Sequence, residues 1–151
     1  MLDRLKAMFA REKNPAREPA STPLAVAALL VEAARADETY TDAERSLIEA
    51  ALAAQFSLDA AGARALREEA EAAQADALDI HRFTRVAKTM DAEEKLALLE
   101  RLWTIALSDG ARDPHEDALI RRVCGLIYVT DPESAAARKR AGNALKEARG
   151  S

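Results

Sequence analysis

Two segments of this chain repeat one another, and the repeat limits the folds open to it. Displaced by 72 residues, "LLVEAARADETYTDAERSLI" (29–48) lies against "RLWTIALSDGARDPHEDALI" (101–120), with six identities in twenty positions. Leu30 meets Leu102, Ala34 meets Ala106 and Asp37 meets Asp109. Glu44 meets Glu116, Leu47 meets Leu119 and Ile48 meets Ile120. Continued without a gap, Phe56 meets Tyr128 and Asp59 meets Asp131. Each copy reads as an apolar helix, a polar corner and a second, amphipathic helix. The period is too long for a solenoid array, whose units run about 20–50 residues. Two helical hairpins related by pseudo-symmetry fit it.

The rest of the chain agrees with helix. Aromatics make up only 4%, alanine and leucine dominate, and both lose little freedom in a helix. "PLAVAALLVEAARAD" is apolar nearly all round and predicts a helix at the centre of a bundle. "LDIHRFTRVAKTM" spaces Ile80, Phe83, Val86 and Met90 along one helical face, and "DAEEKLALLERLWTIALSD" does the same with Leu96, Leu99, Leu102, Trp103 and Ala106. "LDAAGARALREEAEAAQAD" has few large anchors and is the weakest element. Thr41–Glu44, Asp91–Glu94 and Thr130–Glu133 have capping-box spacing, and Asp113-Pro114-His115-Glu116 adds proline at the first helical position. No stretch alternates apolar and polar over a strand's length. The expected fold class is all-α, a compact bundle of about seven helices. Residues 23–148 form the domain, 14–22 a proline-rich linker, and 1–13 a short amphipathic helix.

The two copies, with the "F-S-L-D" after the first and "LLERLWTIALSDGARDPHEDALIRRVCGLIYV" around the second, resemble the TerB-like family. Its members include the tellurite-resistance protein TerB and the N-terminal domain of the DjlA co-chaperone. The resemblance covers roughly residues 22–140. It implies an all-helical domain with an internal duplication and no enzymatic activity. It also implies a divalent-cation or stress-related role, tellurite or metal stress included, through acids near the helix ends. A metal-independent, co-chaperone-like interaction domain is the alternative.

The acids of the corners divide into two groups. Glu44, Asp113 and Glu116 sit in or next to first turns, where carboxylates cap free N–H groups and meet the positive end of the helix dipole. Asp37 and Asp109 each lie in the last turn of an apolar helix, where the dipole disfavours negative charge by roughly 0.3–1 kcal/mol. Three partners would offset that cost. One is a hard cation, calcium or magnesium, held by carboxylates and turn carbonyls. Another is an arginine, with Arg35, Arg45, Arg112, Arg121 and Arg122 as candidates. The third is an N–H group in the first turn of the next helix. The candidate metal ligands are therefore Asp37, Glu44, Asp109, Asp113 and Glu116. Their spacing is not that of an EF-hand loop. The copies also differ: Glu38 stands opposite Gly110, and a left-handed residue there is easy for glycine and costly for glutamate.

Other chemistry finds little support. His81 and His115 lack a second histidine or cysteine at zinc-ligand spacing. Cys124 reads as a buried thiol, Trp103 as core, and no phosphate loop or serine elbow occurs. The net charge is −4, yet residues 133–151 carry five basic and two acidic groups, so the body is more acidic still. That argues against nucleic-acid binding. A single cysteine and the absence of a signal-like segment point to the cytoplasm. An unknown protein is the expected partner. Residues 1–13 read either as a peripheral membrane or docking anchor, or as a helix that folds back or frays.

Overall fold

The structure, a computed structural model, describes residues 20–77, 80–108 and 113–150. Among these it contains seven α-helices and no strand. They are α1 (Thr22–Arg35), α2 (Asp42–Phe56), α3 (Ala60–Asp76), α4 (His81–Ala87), α5 (Ala92–Leu107), α6 (Pro114–Ile127) and α7 (Asp131–Gly150). The expected helix at 1–13 and most of the 14–22 linker lie outside the described residues, as do Asp109, Gly110 and Arg112.

The helix starts follow the capping chemistry read from the sequence. Ser21 caps α1 by accepting from the Leu24 N–H at 3.2 Å. Thr41 and Glu44 close a full capping box on α2: the Thr41 N–H donates to Glu44 Oε1 at 2.9 Å, and the Glu44 N–H donates to Thr41 Oγ1 at 3.1 Å. Thr130 and Glu133 do the same on α7. Asp91 caps α5 through the Glu94 N–H at 2.8 Å. Each cap satisfies donors that a helix leaves without an internal partner.

α1 is the central helix. From Leu24 to Val31 every side chain is buried, and so are Ala33 and Ala34. Small alanines let its neighbours approach closely; α2, α3, α4, α5 and α6 all pack on it. α5 is the second inner helix, burying Leu98, Leu99, Leu102, Trp103, Ile105 and Ala106. α4 is shorter than its apolar spacing predicts, but Ile80, Phe83 and Met90 are buried as expected.

The duplication extends beyond the hairpins. α1–α2–α3 and α5–α6–α7 are two three-helix units joined by α4, and in each the first helix packs most extensively on the third. The sequence register of 72 needs one correction. α2 ends in the left-handed cap Ser57 and α6 in the left-handed cap Tyr128. The next residues, Leu58 and Val129, return their N–H groups to Ala53 O and Cys124 O, the bond of a Schellman motif. Asp59 and Thr130 then cap the following helices. By role, Ser57 therefore matches Tyr128 and Asp59 matches Thr130, not Asp131. The offset falls to 71 after the second helix because α6 is one residue shorter.

Candidate cation site at the paired corners

The first corner differs from its sequence reading in one respect. α1 ends at Arg35 with Ala36 as its C-cap, so Asp37 stands past the helix rather than in its last turn. Its Oδ1 accepts the Thr39 N–H at 2.9 Å. The corner is thus tightened locally, within the loop and not from the first turn of α2. Glu38 takes the left-handed conformation at φ 64, so glutamate accepts here the turn that glycine adopts at less cost. Neither arginine beside this corner reaches Asp37. Arg35 donates to the Glu71 carbonyl and the Gln74 side chain. Arg45 pairs with Asp42 at 2.8 Å and lies 3.6 Å from Glu71.

At the second corner Asp113 Oδ1 accepts the His115 N–H at 2.7 Å, with Pro114 opening α6. Glu116 follows in the first turn and is 2% exposed. The fold brings this corner against the first. Asp37, Asp113 and Glu116 each present a carboxylate oxygen, and these oxygens lie within 4.8 Å of one another. α1 and α6 pack together, and that contact unites acids 76 and 79 residues apart in the chain. Two unit charges at that separation repel by roughly 1 kcal/mol in water and by more near a protein surface.

The arrangement can hold a hard cation. Ligand oxygens on opposite sides of calcium stand about 4.6–5.2 Å apart, twice the usual bond length, and about 4.0–4.2 Å apart around magnesium. A set spanning no more than 4.8 Å lies within calcium's range, whereas magnesium needs its oxygens within about 4.2 Å, and the mixture of half-buried and buried acids suits calcium's tolerance of irregular geometry. Asp37 and Asp113 are half-buried, so the cluster combines solvent access with one buried ligand.

Of the five candidates read from the sequence, the structure brings three together. Glu44 is held instead in its own capping box, 5% exposed, and does not join the cluster. Asp109 lies outside the described residues. The pseudo-equivalent set would be Asp109, Thr41 and Glu44, with a threonine hydroxyl where the first set has the Asp113 carboxylate. The two corners are therefore not chemically equivalent.

A second charged cluster was not anticipated. Arg67, on the element read as weakest, is 8% exposed. Its Nε donates to Glu49 at 2.6 Å and its Nη1 to Glu71 at 2.9 Å. Burial alone would lower the Arg67 pKa, but the two carboxylates outweigh it and hold the guanidinium charged. Burial likewise pushes Glu71 up, yet the Tyr40 hydroxyl and Arg67 keep its carboxyl below the ordinary glutamate value. Tyr40 lies between Arg45 and Arg35, whose guanidinium carbons are 4.2 and 5.2 Å from the ring centroid. Burial and Glu71 hold the Tyr40 phenol protonated. The sequence clue was an arginine at helical spacing between Ala63 and Ala70, on the buried stripe of α3.

Cys124 is buried as read, and burial pushes its thiol up, with Ser134 partly offsetting the shift. Trp103 is core, and its Nε1 donates to Ser134 Oγ at 3.1 Å.

The family described as tellurite resistance protein TerB matches residues 23–139. No curated protein and no solved structure matches the chain.

Proposed function

The chain belongs to the TerB family, and from that membership we propose that a divalent cation at Asp37, Asp113 and Glu116 sets the state of this non-catalytic, interaction-related module. The observation that carries the reading is the meeting of three carboxylates from two corners, one of them buried. An ion there would tie α1 to α6 across the pseudo-symmetry, so binding would stiffen the joint between the halves. Calcium is the first expectation and magnesium the second. The family's name extends this to a role in tellurite, metal or general stress, with a protein partner reading the state of the joint.

The test is calorimetric titration with each ion, paired with melting curves. At 100 times its dissociation constant, calcium should stabilise the protein by about 2.7 kcal/mol. Asp37→Asn and Asp113→Asn should each remove most of that gain while leaving the ion-free midpoint nearly unchanged. No heat and no shift with calcium or magnesium below millimolar would sink the cation.

The same observations give some support to a metal-independent interaction domain. Asp37 and Asp113 each already accept a backbone N–H, which is what corner-locking acids do. On that reading Asp37→Ala, which removes the acceptor of the Thr39 N–H, lowers stability whether or not an ion is present, while Asp37→Asn keeps it.

A further inference from the structure

The two halves differ most between their second and third helices. In the first, α2 packs along α3; in the second, α6 touches α7 only sparsely. The space between α6 and α7 is a cleft of about 850 Å3, floored by Trp103, Leu107 and Cys124. That volume lies within the usual range for a binding pocket, about 300–1,000 Å3.

The pseudo-symmetry says what the cleft lacks. At offsets of 72 for α2 and 71 for α3, Glu49 corresponds to Arg121, Arg67 to Arg138 and Glu71 to Gly142. The first half fills its seam with an arginine between two glutamates. The second places arginines at both Arg121 and Arg138, and removes the third side chain at Gly142. A Cβ added at Gly142 would meet only Leu107 Cδ1, at 3.9 Å, so the room a glutamate would take is open. Arg138 already lies on the Trp103 ring at 5.1 Å. Lys139 and Lys146 add positive charge to the rim, against Asp117 and Asp131. The cleft therefore has an excess of basic groups where its counterpart has an excess of acid.

We propose that the α6–α7 cleft is a docking site for an acidic segment of a partner protein, whose carboxylates pair with Arg121 and Arg138, one of them in the room left open at Gly142, where the first half has Glu71. Its lining runs along α7 from Asp131 to Lys146, roughly 22 Å at 1.5 Å per residue. That is the length of a short helical segment and far more than a small anion needs. Carboxylates would meet Arg121 and Arg138, while an apolar side chain would rest on Trp103 and Leu107. The chain's own residues 1–19 are a poor occupant, with five basic and three acidic groups. Part of the α7 wall, Gly142 to Lys146, lies beyond the region that matches the family. The cleft is lined by α5, α6 and α7 and does not include Asp37, so its test is independent of the cation.

Trp103 is the single tryptophan and reports on the cleft directly. The probe is a synthetic helical peptide of about 15 residues with glutamates and a leucine on one face, compared with its glutamine counterpart and with sodium glutarate. The glutamate peptide should change Trp103 emission saturably, and binding should weaken with added salt. Arg121→Glu recreates the Glu49–Arg67 pair and should weaken binding roughly tenfold or more, with helix content and melting preserved. Lys146→Glu, at the rim, should weaken it less. The proposal falls if the glutamine peptide binds equally well or if Arg121→Glu binds as the wild type does. It also falls if glutarate alone binds as tightly as the peptide, which would make this a small-anion site. Concentration-dependent self-association that Arg121→Glu abolishes would make the occupant a second copy, and would overturn the partner reading.

Discussion

In the first half of the molecule, α2 and α3 close on Arg67, which Glu49 and Glu71 hold from two sides. In the second half, α6 and α7 stand over an open cleft, with Arg121 in the place of Glu49, Arg138 in that of Arg67 and Gly142 in that of Glu71. The backbone plan is the same in both, down to left-handed caps at Ser57 and Tyr128. A duplicated scaffold can thus keep its apolar stripe and change only the charges at its seam. One copy then seals itself while the other leaves an opening. The ion cluster of the first half is structural; the cleft of the second is free for a ligand.

The strongest way to break this comparison is to remove the charge at the centre of each seam. Arg67→Met leaves Glu49 without its counter-ion and Glu71 with only the more distant Arg45, and should cost about 3 kcal/mol in urea unfolding. Arg138→Met, at the matching place, should cost well under about 1 kcal/mol because the side chain faces a solvated cleft. Similar losses at both positions would show that the halves are held alike.

Acid provides a gentler comparison. The folded Glu71 carboxyl lies below its ordinary value, first pushed up by burial and then more than corrected by Tyr40 and Arg67. Its contribution is therefore complete above the ordinary glutamate pKa of 4.5 and disappears as pH falls through the lower folded value. The stability gap between wild type and Glu71→Gln should close over that interval. Glutamate introduced at Gly142 together with Arg121→Glu should create a similar acid-sensitive term in the second half. The pair should raise neutral-pH stability by up to roughly 1 kcal/mol.

The smallest expected effect concerns the corners. Glu38 holds a left-handed conformation that costs a non-glycine residue about 1–2 kcal/mol. Glycine relieves this but loses more chain entropy on folding, by about 0.4–1 kcal/mol. Glu38→Gly should therefore gain roughly 0.5 kcal/mol, seen as a small rise in melting midpoint. A loss instead would mean that the Glu38 side chain contributes something at the first corner that the glycine of the second copy does not replace.

Much of this architecture was legible in advance. The apolar run of α1 specified a central helix, and the Thr41 and Thr130 capping boxes set helix starts to the residue. The place of Asp37 was read one step too early, because helix ends depend on the turn beyond them as well as on apolar spacing. Glu44, a metal candidate by its position in the repeat, closes the capping box of α2 and is not among the three acids that meet. Arg67 was overlooked because it lies in an alanine- and glutamate-rich stretch whose buried side is marked by few large residues.

Helical period and capping are set by interactions within one or two turns, and the duplication is a likeness between two stretches, so all three stand in the order of the residues. Which charges face one another is different. Asp37 meets Asp113 and Glu116 only because α1 crosses α6. Arg67 finds Glu49 only because α2 closes on α3. Arg121 and Arg138 line one cleft only because α6 stands off from α7. Electrostatic and packing energies at those places depend on distance and burial between segments remote in sequence, which are fixed when the helices pack.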